Sequence, residues 1–153
     1  MDLELVERRR YYACGRCYHH AVTRIELENK LRTILAGKDL RFCILFGSSA
    51  MRSPAVAKDV DLAISSLRPM SLMQRGALEV ELEQAVGKPV DVVDVDEAST
   101  LLRWEILRHG VVVASNDETA LRTFQARVPL EYADLRPYLD REAEGLRRVL
   151  GVR

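Results

Sequence analysis

Apolar residues recur along this chain in two rhythms, one helical and one strand-like. From Thr23 to Ala36, Ile25, Leu27, Leu31, Ile34 and Leu35 fall at helical spacing, and Gly37 stands as the stop. Phe42-Cys43-Ile44-Leu45-Phe46 is a continuous apolar run, the mark of a buried strand, and Gly47-Ser48 breaks it. Ser48 to Arg52 is expected to start a short helix with its N-terminal amides turned to a ligand, ended by Pro54. Val60 to Ser65 reads as a second strand. Arg68-Pro69 turns the chain, and Ser71-Leu72-Met73-Gln74 resembles a capping box opening a helix to Val86, closed by Gly87. Pro89 to Asp96 is a third strand, rich in β-branched residues and interrupted by acids. Leu101, Leu102, Ile106 and His109 mark one face of a helix ending at Gly110, and Val111-Val112-Val113 is a short last strand. From Asn116 the pattern is helical, broken at Pro129 and Pro137, with Leu139, Leu146, Val149 and Leu150 as an apolar stripe. Tyr132, Leu135, Tyr138 and Leu139 are expected to pack on the domain's own core rather than to face a partner.

These elements describe one compact α/β unit without internal repeats. An N-terminal extension over 1–22 precedes a domain over 23–114, and a helical extension over 115–153 packs on that domain. In the extension, Leu3, Val6 and Tyr11 form a weak stripe among Arg8, Arg9 and Arg10. Cys14 and Cys17, followed by His19 and His20, have the spacing of half a zinc site. A second pair is missing, since Cys43 falls in a core strand and His109 stands alone. An exposed extension without metal is the favoured reading.

Composition narrows the function classes. A chain of 153 residues suits one domain with a real core, and 48% hydrophobic with 30% charged residues is ordinary for a soluble protein. Twenty-three basic residues balance 23 acidic ones, so no global field draws the chain to nucleic acid or membrane. No apolar stretch approaches a membrane span, and the acidic start Met1-Asp2-Leu3-Glu4 lacks a signal-peptide core. Three cysteines make no disulfide framework, which points to a reducing cytoplasm.

The candidate chemistry sits between the first two strands. Period-2 alternation sends Asp59 and Asp61 to the same face, where two carboxylates repel unless something positive lies between them. Gly47 allows the backbone to approach a ligand closely. Gly-Ser-Ser alone is an ordinary turn, and Asp-x-Asp alone is usually a solvated strand face. Together, at this spacing, they suggest phosphates meeting a divalent metal such as Mg²⁺. The third strand offers Asp91, Asp94 and Asp96 as a further acid. Asp91 and Asp94 lie on opposite faces, and alternation does not say which face meets Asp59 and Asp61. Asp96 reads as a cap for the helix that follows.

Gly47-Ser48, ten residues, Asp59-Val60-Asp61, then Val90-Asp91-Val92-Val93-Asp94 resembles the minimal nucleotidyltransferase (MNT) branch of the polymerase-β-like nucleotidyltransferase superfamily. The likeness runs from about Ile25 to Ala114. It implies that superfamily's fold, a small mixed sheet flanked by helices, with the C-terminal helices as an extension. It further implies two Mg²⁺ ions held by Asp59, Asp61 and Asp91, with Gly47, Ser48 and Ser49 around the triphosphate of ATP. The resemblance, not periodicity, chooses Asp91 over Asp94. The family often reads Gly-Ser-x-Ala-Arg-Gly, whereas this chain has Ala50-Met51-Arg52-Ser53, and Lys58 replaces a small polar residue before the first acid. Proteins of this kind commonly act as MntA-type antitoxins in HEPN/MNT toxin–antitoxin systems, moving AMP to a tyrosine of a HEPN ribonuclease toxin. Three rivals are an antitoxin that neutralises by occlusion alone, a small-molecule nucleotidyltransferase, and a nucleic-acid polymerase or terminal transferase. Intact acids argue against the first, the lack of room for a second domain against the second, and zero net charge without a basic stripe against the third.

Overall fold

The computed structural model describes residues 23–51 and 57–151. Cys14, Cys17, His19, His20, Arg52 and Pro54 lie outside the described residues, and so do the expectations placed on them.

Helix α1 (Arg24–Leu35) opens with a reciprocal cap. The Thr23 hydroxyl accepts from the Glu26 N–H, and the Glu26 carboxylate accepts from the Thr23 N–H. Strand β1 (Leu40–Phe46) runs into the short helix α2 (Gly47–Met51), and strand β2 (Val60–Ser66) returns antiparallel to β1. Helix α3 (Leu72–Val86) starts from the Ser71–Gln74 capping box and stops at Gly87, whose φ of 75° is left-handed. Strand β3 (Val90–Asp94) then pairs parallel with β2. Helix α4 (Thr100–His109), strand β4 (Val111–Ser115) and helix α5 (Glu118–Leu150) complete the chain. The sheet order is β3-β2-β1-β4, so the parallel pair β2/β3 lies at one side of an otherwise antiparallel sheet.

Strand alternation divides the core into two layers. Val60, Leu62, Ile64, Val90 and Val92 face α1 and α3, where they meet Leu31, Leu78 and Leu82. Phe42, Ile44 and Ala63 face the other way, against Ile106 of α4 and Leu121 of α5. Leu62 and Ile64 are 0% exposed, each burial contributing roughly 1.5–3 kcal/mol. On this second face, next to Ala63, alternation places Asp61.

Side chains close both edges of the sheet. On β3, the Val90 and Val92 N–H groups donate to the Glu83 and Glu79 carboxylates of α3 at 3.1 and 3.2 Å. On β4, the Val113 carbonyl accepts from Arg32 Nε at 2.9 Å. A free edge is a template for pairing with another chain, and these contacts occupy part of each edge.

Four expectations are corrected. Pro129 and Pro137 do not break the C-terminal helix, because α5 runs unbroken for 33 residues with both prolines inside it. Around Pro129, tertiary contacts override the local penalty. Val128 is buried, Glu131 meets Arg103 at 3.1 Å, and Tyr132 stacks on Trp104 with ring centroids 4.5 Å apart. Of the four residues expected on the core, Tyr132 does so, but Tyr138 is 62% exposed because the helix has already run past the sheet. Asp96 is not the cap of α4. Ser99 is, its hydroxyl accepting from the Leu102 N–H at 3.3 Å. The strand ends two residues sooner than expected because Asp94 accepts from the Asp96 N–H at 2.9 Å, which turns the chain.

Gly110 marks where α4 passes into β4. A Cβ there would run into the Ile106 carbonyl and the Ile44 side chain. Gly110→Ala is therefore expected to lower the unfolding free energy by about 1–3 kcal/mol, read from urea denaturation.

Candidate active site

The site is built where β1 ends and β2 begins. Phe46, the last residue of β1, pairs with Asp61. Gly47 follows with φ 65°, and a Cβ on it would collide with the Asp61 carboxylate. Glycine is needed here twice, for the backbone angle and for the close approach. The turn delivers Ser48 to the acids. Its backbone N–H favours the ionised form of the Asp61 carboxylate, and its hydroxyl donates weakly to Asp59 Oδ1 at 3.4 Å. Ser49 points inward instead. It is 0% exposed, and its hydroxyl donates to the Phe46 carbonyl at 3.3 Å, so its side chain braces the turn.

The parallel pairing of β2 with β3 decides which acid joins the pair. Asp61 stands level with Asp91, and Asp94 stands level with Ile64. Asp94 is also 7% exposed and occupied in its own turn. Asp59 enters from the loop just before β2, next to the same spot. Burial, then the charge of Asp59, then that of Asp91 hold the Asp61 carboxyl above its ordinary value, while the Ser48 N–H pulls the other way.

The surroundings are open: Asp59 and Asp91 are exposed and Asp61 is half-buried. Carboxylate oxygens in mutual repulsion suit a hard divalent cation. In this conformation no three acidic, His or Cys side chains among the described residues are gathered as a ready-made ligand set. The donor chemistry fits Mg²⁺, and the side chains would have to turn inward to hold it.

The sequence reading missed what fixes the approach to the acids. The Val60 N–H donates to the Pro89 carbonyl at 2.9 Å, and Lys88 Nζ donates to the Ala57 carbonyl at 2.5 Å. These two bonds tie the segment carrying Asp59 to the start of the strand carrying Asp91. Nothing in the periodicity announces such loop contacts. A cavity of about 380 Å³ lined by Phe42, Ser65, Val95, Arg103 and Glu131 lies toward the other ends of the strands and contains none of these residues.

A glycine-serine turn over strand-borne carboxylates, on a mixed sheet with helices on both faces, defines a nucleotidyltransferase. The family model for polymerase beta nucleotidyltransferases matches residues 29–119, and the chain belongs to that family. A relative from Methanocaldococcus jannaschii, provisionally named a protein adenylyltransferase, is 31% identical over 88 residues, 58% of this chain and 95% of that protein. A chain in the complex of tri-AMPylated Shewanella oneidensis HEPN toxin with MNT antitoxin matches with a TM-score of 0.67 at 22% identity. The match covers 80% of this chain and 98% of that one. A chain of a toxin–antitoxin structure with AMP-PNP matches with a TM-score of 0.68 at 23% identity, over 78% and 97% of the two chains. The polymerase-β-like fold expected from the sequence is thereby borne out. No described helix is long and apolar enough to cross a membrane.

Proposed function

We propose that this protein is a Mg²⁺-dependent protein adenylyltransferase. It moves AMP from ATP to a hydroxyl of a protein acceptor, a tyrosine of a cognate HEPN toxin, and so acts as that toxin's antitoxin. The observation that carries the reading is the level pairing of Asp61 with Asp91 beside Asp59, under the Gly47-Ser48 turn. The M. jannaschii relative's name and the AMPylated toxin bound to an MNT antitoxin support the acceptor class. The structure with AMP-PNP supports an adenine nucleotide as donor.

The acceptor oxygen would attack the α-phosphorus in line, forming a P–O bond as the bond to the β-phosphate oxygen breaks and pyrophosphate leaves. Mg²⁺, when bound, supplies charge neutralisation on the phosphates and lowers the pKa of the attacking hydroxyl. Asp59, Asp61 and Asp91 would hold it. Asp91, exposed on the edge-side strand, would take the acceptor proton. The Ser48 hydroxyl and the backbone freed by Gly47 would orient the triphosphate. The work is positioning and charge, which a domain of this size can supply.

The test uses ATP labelled at either the α or the γ phosphorus, Mg²⁺, and a purified HEPN-domain toxin as acceptor. Label from the α position is expected on a tyrosine of that protein, and none from the γ position. Neutralisation of the toxin without any label would replace this reading with occlusion.

A further inference from the structure

Helix α5 is about 50 Å long, and the sheet uses only its first half. Leu121 and Val128 are buried there, and Tyr132 stacks on Trp104. Past that point Leu135 and Leu139 are half-buried, while Tyr138 is 62%, Leu146 62%, Val149 84% and Leu150 70% exposed. These residues continue the buried stripe without a phase change. Val128, Tyr132, Leu135 and Leu139 are separated by steps of four and three, and Leu146 and Val149 fall in the same register. Helices in proteins draw most of their stability from packing an apolar face, so an exposed one past the sheet calls for a partner.

The pattern tells partners apart. Positions flanking the seam are Arg136, Tyr138, Ala143, Gly145 and Leu150, so the face is wide and one cation stands on its flank. A wide face fits a groove between helices better than one opposing helix. Tyr138, Leu146, Val149 and Leu150 alone expose roughly half of the ~800 Å² that each side of a standard interface buries. Glu142 occupies the seam midway between Leu135 and Val149. Pairing two copies over the whole stripe sets Glu142 against Glu142 in either orientation, and like charges in a seam oppose association. A basic residue on a different protein would complete it.

We propose that the C-terminal half of α5 is the docking helix for the protein acceptor. It would seat in an apolar groove between helices of the HEPN-domain partner, with a Lys or Arg there opposite Glu142. This rests on the proposed function, and it gives a small catalytic domain a means of selecting its acceptor, since an anchored partner presents its hydroxyl at high effective concentration.

The test compares the wild type with Leu146→Asp/Val149→Asp and with Glu142→Arg, all at exposed positions of α5. Circular dichroism confirms that helix content is kept. Binding of the HEPN-domain protein is measured by calorimetry, alongside AMP transfer. The double variant should weaken binding and raise the KM for the acceptor by at least about 30-fold, and Glu142→Arg by about tenfold. For both variants kcat and ATP affinity should stay within about twofold. Unchanged partner binding in both variants would overturn the proposal, as would a wild-type homodimer that the double variant splits. Absence of AMP transfer by the wild type would sink the functional reading instead, and the calorimetry would still decide the docking site.

Discussion

Replacing Asp59 and Asp61 together with asparagine is expected to cut AMP transfer by at least about 10³-fold and to raise the melting temperature in Mg²⁺-free buffer. The two effects share one cause. Burial and the charges of Asp59 and Asp91 hold the Asp61 carboxyl above its ordinary value, so its ionised form strains the folded domain. Between the usual carboxylate range and the raised value, the folded chain binds more protons than the unfolded one. Stability from this group is therefore highest at low pH, declines as pH rises through that window, and then levels off. Asparagine removes that slope. A Mg²⁺-free pH series of thermal melts, run beside labelled-ATP assays, measures both. A variant that is inactive and also less stable would show that the carboxylates are structural rather than catalytic.

Gly47→Ala is expected to cost nearly as much activity, about 10²-fold or more, with a smaller loss of stability of about 1–2 kcal/mol. The backbone at φ 65° disfavours any Cβ, and this one would press on the Asp61 carboxylate. A carboxylate can swing aside, so the domain should still fold. It would then be turned away from Asp59 and Asp91, and a small displacement at a reacting centre is costly. A kcat that falls while urea unfolding shifts only slightly is the predicted signature.

Most of this arrangement was legible before the structure. Alternation placed Asp59 and Asp61 together, and capping residues set the start of α3 and its Gly87 stop. The choice between Asp91 and Asp94 was not legible, because it depends on the register between two parallel strands distant in sequence. Family likeness made that choice, and the register agrees with it. Pro129 misled because the compensating contacts, Trp104 on Tyr132 and Arg103 on Glu131, join residues far apart in the chain; nothing in the structure explains the unbroken helix at Pro137. Asp96 misled because a local turn at Asp94 had the stronger claim on it. Ser49 looked equivalent to Ser48, and only the winding of α2 turns one inward and the other toward the acids.

The glutamates that close the outer side of β3 have a bearing beyond solubility. Asp91 lies between Val90 and Val92, whose amides Glu83 and Glu79 hold. Strand breathing and cation capture would then be linked: when the border strand peels from α3 the Asp91 carboxylate leaves with it, and a cation held by Asp61 and Asp91 would favour the docked strand.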